Sequence, residues 1–370
     1  MSGPRFLLAG GGTGGHVFPL LAVAQALEAL APDASLHFVG TERGMEARAM
    51  PSAGYPISFL PVHPLKGGGA AGLAKGLTAL PRAMWEADAA LRRFGPDAVL
   101  SAGGYAAGPV TLAAAARGLP TALMEQNAVP GLTHRLLGRA VRRCFLSLPI
   151  TGGLPPSKCV LVGNPVRRAL LEAAVSLEAR PAATTEGRLR VLVTGGSGGA
   201  GPLNAKLPAC FLRLPTALAQ RVELRHQAGR GRADKVRAAY QGFGGQVQVC
   251  EFIEDMAEAY AWADLTICRA GATTLAELLV LGRPALLIPF AGAADNHQEH
   301  NARAALDAGA AWMLREDQLD GGEVERRLQA LLDDPAPLAE VSRAAKRLAK
   351  PDAAQEIARA LLGMAQGTHP

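Results

Sequence analysis

Twice in this 370-residue chain a short apolar run ends in a cluster of glycines and continues into a helical pattern. Phe6-Leu7-Leu8-Ala9 leads into Gly10-Gly11-Gly12-Thr13-Gly14-Gly15, and Val191-Leu192-Val193-Thr194 leads into Gly195-Gly196-Ser197-Gly198-Gly199. Glycine lets the main chain turn sharply from strand to helix and brings N–H groups close to an anion, where the helix N-terminus adds partial positive charge. A chain that repeats this unit is constrained to two α/β halves of nucleotide-binding type. The rest of the pattern agrees. Phe6–Ala9, Leu36–Val39, Ala98–Ser101, Thr121–Met124 and Cys144–Ser147 read as strands of one parallel sheet. Arg190–Thr194, Val222–Gln227, Val247–Phe252, Leu265–Cys268 and Ala285–Pro289 read as strands of a second. Helical stretches such as Leu20–Leu30 and Thr274–Leu281 separate them, as right-handed crossovers require.

This length suits two domains rather than one. Apolar residues make up 49% and aromatics only 5%, so small aliphatic side chains fill both cores, as in helices packed on parallel sheets. The reading places a first domain at 1–163, a second at 164–350 and a last helix in 351–370 that returns to the first. Arg168–Glu186 reads as a helix followed by a polar linker. Lys and Arg number 38 against 32 Asp and Glu, a net +6 that favours anionic partners without choosing among them. Clustered basic stripes and stacking aromatics are missing, so a nucleic-acid partner is not expected. Cys144, Cys159, Cys210, Cys250 and Cys268 are dispersed and odd in number, which argues against a disulfide scaffold or a zinc site. No signal peptide or membrane span is read, so any membrane contact is expected to be peripheral.

Several strand exits carry chemistry. Gly10, Gly12 and Gly15 satisfy G-x-G-x-x-G, a weak signal alone; a dinucleotide enzyme also needs an acid closing the second strand, and Glu42 lies somewhat late for it. His16, at the following helix start, is expected to stay neutral and is a candidate base, although a capping histidine would look the same. Ser197 sits among four glycines, where a hydroxyl and main-chain N–H groups suit a diphosphate. Asp264–Glu277 reads as strand, small-residue turn and helix. Glu277 suits the ribose hydroxyls of a nucleotide, or merely favours the helix dipole. In Pro289–Asn301, Gln298 and Asn301 suit sugar hydroxyls. His297 and His300 make a metal site conceivable, but a solvated helix start is the simpler account. Ser101–Pro109 is a third Gly-rich exit, and Glu125-Gln126-Asn127 follows the next strand.

Taken in order, Gly11–Pro19, Gly103-Gly104-Tyr105, Glu125-Gln126-Asn127, Gly163–Arg167, Gly195-Gly196-Ser197 and Arg269–Glu277 resemble one family. It comprises the glycosyltransferases that add N-acetylglucosamine to undecaprenyl-diphospho-muramoylpentapeptide (lipid I), giving lipid II for peptidoglycan. The resemblance covers nearly the whole chain. It implies a GT-B fold, α/β with two Rossmann-like domains whose parallel sheets face across a cleft. It implies inverting transfer from UDP-N-acetylglucosamine without a cofactor or an obligatory metal, at the cytoplasmic face of the membrane. By family pattern Arg167 and Ser197 hold the donor diphosphate region, and the main chain of Ile253 meets uracil. Glu277 holds ribose, while Ala272, Thr273, Thr274, Leu275, Ala276 and Gln298 hold phosphate and sugar. Thr13, Gly14, Gly15 and Asn127 line the opposite side, with Gly103, Gly104 and Tyr105 on the lipid-linked substrate. His16 is the first choice for the base and Glu125 the second.

The chain departs from the pattern in four places. Met124 replaces a usual His, Gly198 a usual Gln and Ala270 a common Ser, and His297 stands where some members have Gln. Competing enzymes are another UDP-sugar transferase with a lipid acceptor, such as a diacylglycerol galactosyltransferase, and a dinucleotide oxidoreductase. Finally, Leu65–Phe94 places Leu73, Leu77, Leu80, Met84 and Trp85 among Lys66, Lys75, Arg82, Arg92 and Arg93. This patch suits either an acidic bilayer surface or the core, and Gly76 and Pro81 predict a break in its helix.

Overall fold

The computed structural model describes residues 3–62, 69–177, 187–196 and 198–367, with the main chain alone over 69–77 and at 177. Packing divides the chain into two compact units. One runs up to Arg167 and takes in the segment from Lys350 onward; the other is Arg168–Ala349.

The first unit holds seven parallel strands in the order β3-β2-β1-β4-β5-β6-β7. They are β1 (Arg5–Ala9), β2 (Ser35–Gly40), β3 (Ile57–Phe59), β4 (Ala98–Ser101), β5 (Thr121–Glu125), β6 (Arg143–Leu146) and β7 (Cys159–Leu161). Strand β1 is apolar from Phe6 to Ala9 because both its faces are covered there. Phe6 and Leu8 point into one cluster with Leu20, Val23 and Leu27 of the helix Gly14–Leu30. Leu7 and Ala9 point into the other with Val99, Ala87, Leu91 and Val110. The last helix, Ala353–Ala365, returns to this unit and buries Ile357, Ala358, Leu361 and Met364 in the first cluster. Asn164–Arg167, which the sequence reading gave to the second half, packs here, with the Arg167 guanidinium 4.6 Å above the Phe18 ring.

The second unit holds six parallel strands in the order β10-β9-β8-β11-β12-β13. These are β8 (Leu189–Thr194), β9 (Val222–Gln227), β10 (Gln246–Cys250), β11 (Leu265–Cys268), β12 (Ala285–Leu287) and β13 (Trp312–Met313). Val191, Val193, Leu224, Ile267 and Leu286 share its core with Leu203 and Leu207 of the helix Gly201–Leu212.

The predicted break at Gly76 and Pro81 does not occur: one helix spans Gly69–Phe94 with Pro81 inside it. A proline there forfeits a hydrogen bond at a cost of about 3 kcal/mol. Burial of Ala83, Ala87, Ala90 and Leu91 on one face of the following turns offsets that loss. Met84 packs against the same core, whereas Leu80 and Trp85 are 44% and 66% exposed. Arg82 pairs with Glu86 and Arg92 with Asp88. Leu65 and Lys66, and the side chains of Leu73, Lys75 and Leu77, lie outside the described residues. The linker expected after Arg168 also falls partly outside, its helix being Arg168–Leu177.

Because Leu361 is fully buried against the β1 helix layer, Leu361→Ala should destabilise the protein by about 2–5 kcal/mol. A urea titration measures this, and a change within about 0.5 kcal/mol would show that the last helix contributes little packing.

Candidate active site

In each sheet the strand order reverses at one point, between β1 and β4 in the first unit and between β8 and β11 in the second. Ligands of open parallel sheets bind at the carboxyl ends of the strands beside such a point. The Gly-rich turns leave the strands that flank it. In the first unit Gly10–Gly15 follows β1 and Gly103-Gly104 follows β4, and their main chains touch. A side-chain carbon on Gly104, whose φ is +84°, would lie 2.4 Å from the Gly11 carbonyl oxygen, so only glycine fits there.

Glu46, which no sequence motif marks, is a buried residue on the short helix after β2. Its Oε2 accepts the Gly12 N–H at 2.8 Å, and its Oε1 accepts the Thr41 N–H and hydroxyl, each at 2.8 Å. The acid beside the first turn is therefore Glu46 and not Glu42. A dinucleotide pyrophosphate would lose the Gly12 amide and meet a carboxylate, which weighs against an oxidoreductase. Thr13 and Gly14 remain at the helix start with no intrahelical partner for their N–H groups. His16 donates Nδ1–H to the Gly11 carbonyl at 3.2 Å, since that oxygen can only accept, which leaves Nε2 as an open lone pair. Burial, then the nearby His134, holds the His16 pKa below its ordinary value. It is therefore a neutral ring near neutral pH, as a base must be.

Glu125 closes β5 and is buried. Its Oε1 accepts from the Asn127 main chain at 2.9 Å and from the Asn127 amide at 3.4 Å. Its Oε2 accepts from Gly131 N–H at 2.9 Å and from His134 Nδ1 at 2.7 Å. Burial alone would raise its pKa; the His134 ring and the two main-chain amides outweigh burial and hold it low. A carboxylate so occupied suits an ionised anchor better than a proton acceptor. Gln126 donates its Nε2 to the Ala102 carbonyl at 3.0 Å, tying the β5 exit to the β4 exit. Tyr105 stands 44% exposed just beyond Gly104.

In the second unit the turn after β8 packs on the β9 exit. A side-chain carbon on Gly199, at φ +67°, would lie 2.2 Å from the Ala228 carbonyl oxygen. Ser197 lies outside the described residues. Beyond β11, Gly271 precedes the helix Ala272–Leu281, whose first N–H groups, at Ala272, Thr273 and Thr274, point out of the helical ladder. Leu275 does not join them: its N–H is bonded to Gly271 O and its side chain is in the core. Glu277 is buried and accepts the Tyr260 hydroxyl at 3.3 Å, a partner the sequence did not reveal. Gln298 accepts the Phe290 N–H at 3.0 Å, and buried Asn301 donates to the Ala270 carbonyl at 3.1 Å. Asp295 and Asn296 take positive φ values of 51° and 52°, so this loop is held in a conformation uncommon outside glycine. Ile253 follows β10 at the same sheet edge and is half-buried.

Residues 6–146 match the glycosyltransferase family 28 N-terminal domain and residues 190–357 the glycosyltransferase family 28 C-terminal domain. The chain belongs to glycosyltransferase family 28. It is 46% identical to the UDP-N-acetylglucosamine--N-acetylmuramyl-(pentapeptide) pyrophosphoryl-undecaprenol N-acetylglucosamine transferase of Anaeromyxobacter dehalogenans (strain 2CP-C), over 96% of this chain and 91% of that one. The Alkalilimnicola ehrlichii transferase of the same name is also 46% identical, over 96% of this chain and 98% of that one. The crystal structure of MurG from Acinetobacter baumannii superposes with a TM-score of 0.78 at 31% identity, covering 97% and 99% of the two chains. The family resemblance read from the motifs holds, and the two Rossmann-like units are those of a GT-B enzyme.

The family departures now have places. Met124 is fully buried in the core, so that position supplies packing. Gly198 brings no side chain, and its carbonyl accepts from Arg232 at 3.2 Å. The Ala270 side chain is buried, and its carbonyl anchors Asn301. His297 donates Nδ1–H to Ala294 O at 2.8 Å.

Behind the second turn, His226 lies fully buried between two partners. Its Nε2–H donates to Asn204 Oδ1 at 3.0 Å, its Nδ1 accepts the Tyr240 hydroxyl at 2.9 Å, and Asn204 in turn donates to Ala228 O at 2.7 Å. Burial pushes its pKa from 6.5 down to about 4. Between these values the unfolded chain binds the extra proton and the folded one does not. Stability should therefore be full above about pH 6.5 and fall as the pH drops toward 4, by about 3 kcal/mol for this group. Urea unfolding of wild type and His226→Gln at several pH values isolates it, and parallel curves would exclude the effect.

Proposed function

We propose that this chain transfers N-acetylglucosamine, with inversion, from UDP-N-acetylglucosamine to the C4 hydroxyl of the muramoyl sugar of lipid I, forming lipid II. The observation that carries the proposal is the pairing of Gly-rich exits at both switch points in a chain 46% identical to transferases of that name. UDP binds the second unit: diphosphate at the N-terminus of the helix Ala272–Leu281 and at Ser197, ribose at Glu277, uracil at the Ile253 main chain, and sugar at Gln298. The amides of Ala272–Thr274 meet the charge that develops on UDP as the anomeric bond breaks, so the leaving group needs little reorganisation around it. The lipid-linked substrate binds the first unit around Thr13, Gly14, Gly15, Gly103, Gly104, Tyr105 and Asn127. Arg167, its guanidinium 4.6 Å above the Phe18 ring, supplies a cation for diphosphate oxygens. Nε2 of His16 takes the proton of the attacking hydroxyl, and Glu125 keeps the 126–131 loop in place. Transfer of labelled N-acetylglucosamine to a short-chain lipid I analogue tests the reaction. His16→Ala should lower turnover about a hundredfold or more with donor binding little changed, and near-normal turnover would remove His16 as the base.

Among the described residues no helix is long and apolar enough to cross a membrane. We propose peripheral binding to an acidic bilayer at the cytoplasmic face, through the helix surface that bears Leu80 and Trp85. In flotation with anionic vesicles, Leu80→Glu with Trp85→Glu should lower the bound fraction by about tenfold. Unchanged flotation would move the contact elsewhere.

A further inference from the structure

Nε2 of His134 is buried and makes no hydrogen bond among the described residues. The residue is 4% exposed and stands on the short helix Leu132–Leu137 behind the β5 exit. Its other nitrogen, Nδ1, is 2.7 Å from Glu125 Oε2. An ionised carboxylate can only accept, so Nδ1–H donates, and Nε2 is left to bond another group. A side-chain carbon on Gly103, whose φ is +93°, would lie 3.1 Å from His16 Nε2 and 3.4 Å from His134 Cε1. The two imidazoles therefore flank the same piece of main chain at the switch point. His16 has the same polarity, with Nδ1–H given to Gly11 O and Nε2 open.

Two carboxylates stand nearby, Glu46 under the first turn and Glu125 bonded to His134. An imidazole nitrogen is matched by a sugar hydroxyl, which can accept as well as donate, while the nearby carboxylates disfavour a phosphate oxygen there. A buried nitrogen left without a partner is costly to the free protein, and a hydroxyl from a bound sugar would remove that cost. We propose that His134 is a second substrate-contacting residue. Its Nε2 hydrogen-bonds a hydroxyl of the lipid-linked sugar next to the one that His16 deprotonates, and Glu125 is its positioning residue. This rests on the acceptor assignment made above for the first unit.

Two variants separate contact from scaffolding. His134→Asn keeps an N–H for Glu125 and removes Nε2. His134→Gln carries an amide toward the Nε2 position and gives up the bond to Glu125. Both are compared with wild type in steady-state transfer from UDP-N-acetylglucosamine to a short-chain lipid I analogue, alongside thermal melts of the full chain. The expected result for His134→Asn is a loss of about tenfold or more in kcat/KM for the lipid analogue. Donor KM should stay within about twofold and the melting temperature close to wild type, with part of the loss regained in His134→Gln. If His134→Asn matches wild type within about twofold, or if both substrates' KM values rise together with a lowered melting temperature, Nε2 touches no substrate and the ring is scaffolding. A wild-type chain that transfers nothing to lipid I, yet binds UDP, would instead sink the assigned reaction and this contact with it.

Discussion

The site depends on main chain approaching main chain at the two switch points. Gly104 lies against Gly11 and Gly199 against Ala228, at distances that leave no room for a side-chain carbon. These contacts bring adjacent strand exits into one surface, so that N–H groups and short polar side chains from distant parts of the chain can serve one ligand. Beneath each surface a small polar network holds the turn. Glu46 does this in the first unit; His226, Asn204 and Ala228 do it in the second.

The two units share a plan and differ in charge. In the second, the N-terminus of the helix Ala272–Leu281 follows the β11 exit and favours an anion. In the first, two buried carboxylates take up turn amides, and the imidazoles beside them are held through Nδ1 with Nε2 left for a ligand. A nucleoside diphosphate fits the former, and a hydroxyl that must lose a proton fits the latter. The repeated strand–turn–helix unit alone does not distinguish these roles, because they arise from what the surrounding loops deliver to each turn.

All ten strands read from the sequence are present, and the three it missed, β3, β7 and β13, are each two or three residues long and lie at sheet edges. Central strands of a parallel sheet are buried on both faces and show as apolar runs. An edge strand of that length has no such run; its neighbour's hydrogen bonds define it. The error at Pro81 has a related origin, since a local preference gave way to burial of Ala83, Ala87 and Leu91. Within the site, His16 stands at a helix start, Glu125 at a strand exit and Glu277 beyond the first turn of the helix after β11, where motif spacing made them visible. Glu46, His134 and Tyr260 lie on helices that reach the turns only after folding, and no spacing rule connects them to a motif.

By itself the sequence determined the two α/β halves, their central strands and the glycine positions, because hydrophobic period and the absence of a side chain act locally and leave a direct trace in residue order. Only the tertiary structure decided which groups stand behind those glycines: that Glu125 is an occupied anchor, that Glu46 holds the first turn, and that His134 faces the same main chain as His16. Proton affinity and hydrogen-bond polarity depend on neighbours brought together from far along the chain, and sequence order does not record those distances.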